Sequence, residues 1–140
     1  MILLDTGIVS EAMKPSPDPA LLRWLDMQKA ESLYIASISV AELLSGIGSL
    51  PDGRGKDELA KALERTLQLF SGRMLTFDTV AAFTYAEIAV QAKRSGKSYA
   101  MADAYLAAIA KGHGLTLASR VPALFAGFGL LVIDPAGPGT

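Results

Sequence analysis

Ile2-Leu3-Leu4-Asp5-Thr6-Gly7 is a short apolar run that stops on a carboxylate. Apolar residues without polar alternation read as a strand buried on both faces. Thr6-Gly7 reads as a turn or helix start, and Ile8 to Met13 as helix. The same unit then recurs. Leu33-Tyr34-Ile35 is a second buried strand, followed by a helix from Ser37 or Ser39 to about Leu50. Met74 to Phe77, Leu115 to Ala118 and Leu130 to Ile133 supply three more strands. Strands this short, alternating with longer amphipathic helices, specify an α/β fold. They build one parallel sheet with helices on both faces.

The intervening helices carry their own punctuation. Asp18 caps one, with Pro19 at its first position, and Leu21, Leu22 and Leu25 form its apolar face. Pro51-Asp52-Gly53 is a turn. Residues 56 to 70 place Leu59, Leu63, Leu67 and Phe70 at helical spacing, and Gly72 ends that helix. Asp78 caps a helix to about Ser95. Ser98 opens another, Tyr99 to Lys111, closed by Gly112 and Gly114. Residues 1–135 read as a single domain, and Pro135 to Thr140 as a frayed tail.

The composition excludes several chemistries. With 140 residues the chain can bury a core without staples. It has no cysteine, which rules out disulfides, zinc fingers and thiol nucleophiles. One histidine, His113, excludes a multi-histidine metal centre. At a helix end its expected role is to complement the dipole and the last carbonyls. The formal charge of −1 gives no general attraction for polyanions, so any nucleic-acid contact has to be local. Trp24 reads as a packing residue, with no basic groove pattern around it. The longest uninterrupted apolar stretch, Ala104 to Ala110, falls far short of the roughly 20 residues of a membrane helix. Met1 to Asp5 holds no basic region and reaches an acid at once, so no export signal is expected. A cytoplasmic protein is the expectation.

Sites in parallel α/β folds lie beyond the carboxyl ends of the strands. That rule directs attention to Asp5, Ser119 and Arg120. Asp5 could bind a metal, accept a phosphoryl group or act as a base, or simply cap the following helix. Asp5-Thr6-Gly7 also resembles the motif of aspartic proteases, but those need two such aspartates in a β-rich fold. Glu42 belongs to Ser39-Val40-Ala41-Glu42, a capping-box pattern, or else turns its carboxylate into the crevice. Asp103 sits in a nearly all-apolar helix, where an ionised carboxylate needs a partner. It either pairs with a basic side chain, lies on an exposed stripe of the helix, or shares a metal with other acids. Asp5, Glu42 and Asp103 together are three hard oxygen ligands from three elements, a set suited to Mg²⁺ or Mn²⁺.

The segments Met1-Ile2-Leu3-Leu4-Asp5-Thr6, Ser10-Glu11, Ser39-Val40-Ala41-Glu42-Leu43, Ala102 to Ala108, and Leu115 to Arg120 occur in this order. With the apolar last strand and Asp134-Pro135, they resemble the PIN-domain toxins, the VapC-type and FitB-type (plasmid-stability) toxins of type II toxin–antitoxin pairs. The likeness covers essentially the whole chain. It implies a three-layer α/β/α sandwich around a mostly parallel five-stranded sheet. It implies a Mg²⁺- or Mn²⁺-dependent ribonuclease that cuts structured RNA. The resemblance further implies a homodimer silenced by a small antitoxin, which makes the DNA contact, and no membrane partner. The metal ligands carry over to Asp5, Glu42 and Asp103, a supporting hydroxyl to Thr6, and a hydroxyl near the site to Ser119.

Four positions depart from that pattern. Gly7 stands where Asn is usual. Val121 and Leu124 stand where acids follow the Ser-Arg pair, and Met101 where many members carry another Asp. These departures motivate a second reading, a PIN-fold binding module that pairs with an antitoxin or RNA and has lost activity. A phosphatase using Asp5 as nucleophile is a third, but Asp5-Thr6-Gly7 lacks the second acid that chemistry expects.

Overall fold

The computed structural model describes residues 1–137. Five strands, β1 (Ile2–Leu4), β2 (Leu33–Ala36), β3 (Met74–Leu75), β4 (Thr116–Ala118) and β5 (Val132–Ile133), form one sheet in the order β3-β2-β1-β4-β5. Every pairing is parallel. Six helices connect them: α1 (Thr6–Met13), α2 (Pro19–Met27), α3 (Ser37–Gly48), α4 (Arg54–Leu69), α5 (Thr79–Arg94) and α6 (Met101–Gly112).

Successive strand residues point to opposite faces, and the core divides accordingly. Leu3, Ala36 and Leu117 pack with Leu106 and Ile109 of α6 and Ile88 of α5. Leu4, Ile35 and Ala118 pack on the other side with Ile8, Leu21, Leu43 and Leu63 of α1 to α4. The result is the expected helix–sheet–helix arrangement. Trp24 joins the second cluster as a packing residue. Leu22, expected on the apolar face of α2, is instead exposed.

Helix ends follow the local chemistry in most places. Asp18 accepts from the Ala20 amide at 2.9 Å with Pro19 at the first position of α2. Asp78 accepts from Ala81 N at 2.9 Å at the start of α5. His113 closes α6, and its Nε2 lies 2.7 Å from Asp78 Oδ2, tying the end of α6 to the cap of α5. Gly114, at φ +71°, allows the reversal into β4 that only glycine makes cheaply.

Several boundaries differ from expectation, β4 by one residue, since it begins at Thr116. The third strand is two residues rather than four, and Phe77 instead joins the rings of Tyr85 and Tyr105. The fifth strand begins at Val132 rather than Leu130. Helix α6 begins at Met101, not Tyr99. Its capping position is Ala100, with no side-chain bond, and the Tyr99 ring packs edge-on against Phe128. In the expected tail, Asp134 accepts from Ala136 N at 2.9 Å, and residues 138–140 lie outside the described residues.

Candidate active site

The order β3-β2-β1-β4-β5 means that the chain builds outward from β1 in one direction and then returns to its other side. At such a reversal the loops leave a crevice at the carboxyl ends of the two central strands. Asp5 follows β1 and Ser119 follows β4, and both enter this crevice. The Asp5 amide donates to Ala118 O at 3.0 Å, so the two strand ends are held side by side.

Asp5 is 8% exposed. Its Oδ1 accepts from Ile8 N at 2.8 Å, so it caps α1. Capping and a position in the crevice are therefore properties of one side chain, not alternatives. Burial pushes its carboxyl above the ordinary range, and Glu42 pushes the same way. The Ser119 hydroxyl, Ile8 N and Arg120 oppose that rise. Ser119 is wholly buried. Its Oγ accepts from Val121 N at 3.0 Å, which leaves its proton for Asp5.

Glu42 lies in the second turn of α3, because that helix starts at Ser37. The capping-box pattern is not realised: Ala36 occupies the cap, with no side-chain bond. Ser39 and Glu42, one turn apart, both meet Thr6 instead. Thr6 Oγ1 lies 2.8 Å from Glu42 Oε1 and 2.8 Å from Ser39 Oγ. A carboxylate only accepts and a hydroxyl has one proton. Thr6 therefore donates to Glu42 and takes the Ser39 hydrogen. Ser39 is buried, so this short relay fixes the α1–α3 side of the crevice.

Asp103 sits in the first turn of α6. Among the described residues no basic side chain pairs with it. Its carboxyl is pushed up by burial first, then by Glu42 and then by Asp5. The three acids anticipated from the sequence therefore feel one another, although they come from the end of β1, from α3 and from α6. Like charges gathered without a cation raise one another's pKa. Their oxygens are the donor chemistry of a hard divalent cation. Among the described residues, however, no three acids or histidines close into a compact ligand group.

Arg120 plays a part that no spacing signalled. Its Nη1 reaches Glu11 Oε1 at 3.1 Å and its Nη2 reaches Asp18 Oδ2 at 3.0 Å. Glu11 also accepts from Lys14 Nζ at 3.0 Å and from the Asp18 amide at 3.3 Å. This clamp spans more than 100 residues of sequence and fastens α1 and the start of α2 to the end of β4. Beside it, Asp5, Gly7, Arg120 and Val121 line a cavity of about 370 Å³. A Cβ on Gly7 would meet only the Asp5 carboxyl, at 3.6 and 4.0 Å, which is ordinary contact. Val121 is 52% exposed, and Leu124 and Met101 are exposed to a similar degree. His113 is engaged with Asp78 and takes no part in the crevice.

The PIN domain family model matches residues 2–120 of this chain. The chain is 42% identical over 139 residues to the VapC ribonuclease Y4jK of Sinorhizobium fredii, covering 99% of both proteins. It is 43% identical over 136 residues to the toxin FitB of Neisseria gonorrhoeae, covering 96% of this chain and 98% of that one. The structure of FitAB bound to an IR36 DNA fragment superposes with a TM-score of 0.91 at 40% identity, over 100% of this chain and 99% of its own. No described helix is long and apolar enough to cross a membrane.

Proposed function

This chain belongs to the PIN-domain family, and on that premise we propose that it is the toxin of a toxin–antitoxin pair, a Mg²⁺- or Mn²⁺-dependent endoribonuclease acting on structured RNA. The observation that supports this reading is that Asp5, Glu42 and Asp103 face one crevice at the carboxyl ends of the strands, near enough for their charges to act on one another. The three acids come from separate elements at the sheet's reversal point, and burial raises the carboxyls of Asp5 and Asp103, with Glu42 adding to both and Asp5 to Asp103. Such a group is costly without a cation, and the names of the relatives, a VapC ribonuclease and a toxin FitB, agree with it.

Asp5, Asp103 and Glu42 would hold the ion. A divalent cation bound to carboxylates supplies a Lewis acid for the phosphoryl oxygens and lowers the pKa of water. The chain's own groups set the stage for that. Ser119 presents its hydrogen to Asp5, and Ile8 N holds the same carboxylate, so Asp5 is fixed in one orientation. Thr6 holds Glu42 in the crevice, and Ser39 holds Thr6. Arg120 keeps α1 against β4 and offsets part of the negative charge beside Asp5. The partners in this proposal are a small cognate antitoxin that contacts DNA, an RNA substrate and a second copy of the chain. The FitAB complex on DNA supports the first of these.

The exposed Val121 and Leu124 favour a second reading, a binding module without activity, since they add no oxygen ligand beside Arg120. One experiment separates the two. Wild type and Asp103→Asn are titrated with Mg²⁺ and Mn²⁺ by calorimetry and incubated with total tRNA. The expected result is metal-dependent cutting by wild type, with binding and cutting both lost in the variant. Thr6→Val should keep the fold and lose about 10–100-fold in metal affinity or rate, as expected for a group that orients a ligand. Full activity in Asp103→Asn would sink the site assignment. No metal binding at millimolar concentration, with no cleavage, would establish the binding module.

A further inference from the structure

A chain of net charge −1 with three acids facing its crevice has no general attraction for RNA. Binding to a polyanion rests mainly on phosphate contacts from Lys and Arg, so an RNA-cutting protein of this kind needs a local basic rim. Six of its 13 cations are engaged elsewhere. Lys14, Lys56, Arg54 and Arg120 are paired with acids. Arg73 and Lys111 are bonded to main-chain carbonyls.

Lys93-Arg94-Ser95-Gly96-Lys97 is different. All five residues are exposed, and among the described residues none of its three cations is in an ion pair. Lys93 and Arg94 end α5, where they suit the helix dipole. That explanation does not reach Lys97, which lies beyond the cap. The segment is also held in shape. Gly96 takes φ +67°, Lys97 N donates to Ala92 O at 2.9 Å, and Tyr99 is anchored on Phe128. Six residues after Lys97 comes Asp103. Helices α5 and α6 form an antiparallel pair, since His113 at the end of α6 meets Asp78 at the start of α5. The end of α5 therefore lies at the Asp103 end of the helix pair, about a turn or more beyond Asp103.

We propose that the exposed run Lys93-Arg94-Ser95-Gly96-Lys97, at the turn between α5 and α6, binds the phosphodiester backbone of RNA and leads it to the acid crevice. This rests on the ribonuclease reading above. The remaining exposed cations do not adjoin this end in the same way. Arg23 and Lys29 belong to α2 and the segment after it, and Lys61 and Arg65 to α4; both helices pack on the other face of the sheet.

That contrast supplies the control. A labelled tRNA transcript is titrated with the full chain in EDTA between 50 and 200 mM NaCl, read by fluorescence anisotropy. Arg94→Gln with Lys97→Gln is compared with Arg23→Gln and Lys29→Gln, which remove the same charge. The expected result is weaker binding by the first pair alone. Its slope of log K against log salt should be shallower by about 1.4, at roughly 0.7 per single-strand phosphate contact. Equal losses in both pairs would mean general charge and overturn the proposal, as would an unchanged first pair. Loss of duplex DNA binding with RNA binding retained would also overturn it. Wild type that cuts tRNA while the first pair binds normally sinks this proposal alone. Wild type that neither binds nor cuts tRNA sinks the ribonuclease reading with it.

Discussion

Asp103 carries a half-buried carboxyl that no basic side chain among the described residues pairs with. Its carboxyl is raised by burial and by Glu42 and Asp5. A carboxyl raised on folding binds its proton more tightly in the folded state. Its contribution therefore falls as pH rises from the ordinary carboxylate range through the raised value, and levels off above it. In EDTA, Asp103→Asn should accordingly be more stable than wild type at pH 7, with a flatter profile through the acid range. Added Mg²⁺ should raise the Tm of wild type only. Thermal denaturation between pH 4 and 8 reads both effects, and a variant that is less stable at pH 7 with an unchanged profile would contradict this account. Asp5 and Asp103 were legible in the sequence, because a carboxylate at a strand end or in an apolar helix is conspicuous. Ser39 and Glu42 were ambiguous for a definite reason. The i, i+3 spacing of a capping box is also the spacing of two residues on one helix face. Only the true start of α3, two residues before Ser39, decides between them. The Arg120 clamp left no local signal at all, since its partners lie more than 100 residues away in sequence.

The helices on the α1–α4 face are held through their large apolar side chains, and α4 shows how. Its expected apolar positions, Leu59, Leu63 and Leu67, do not share one fate. Leu63 is 2% exposed and fills the second core, Leu67 is partly buried against it, and Leu59 borders the groove between α3 and α4. Leu63→Ala should cost about 2–5 kcal/mol, the range for deleting a buried leucine. Leu59→Ala should cost clearly less, and urea denaturation ranks the two. Similar midpoints for both variants would mean that α4 is not fastened through Leu63. Periodicity located this helix well, because 16 residues repeat the pattern enough to define it. It served the short elements less well. A two-residue strand such as β3 is decided by where Phe77 finds aromatic partners, and the start of α6 by where Tyr99 finds Phe128.

For the whole molecule, strand–helix alternation called for a parallel sheet, but order within that sheet is a matter of which side each crossover takes. Composition cannot encode it, yet it makes β1 central and turns Asp5 and Ser119 into neighbours. The same ordering leaves α5 as an outer helix with apolar side chains exposed among the described residues. Val80, Phe83 and Val90 recur at helical spacing on it, and Phe83 is 73% exposed. Side chains this apolar gain by leaving water, and a second copy of the chain is the partner proposed for them. Since Phe83 contributes little to its own core, Phe83→Glu should leave Tm nearly unchanged. It should also convert a species of about twice the 14.7 kDa chain mass into one of that mass in light scattering after gel filtration. A variant that still elutes at double mass with its Tm intact would move the self-association to another face. A wild type already at 14.7 kDa would leave α5 without a second copy. The asymmetry of the molecule makes this test sharp. The acid crevice sits at the strand ends and the exposed stripe on an outer helix, so a charge placed at position 83 can break assembly without entering the site.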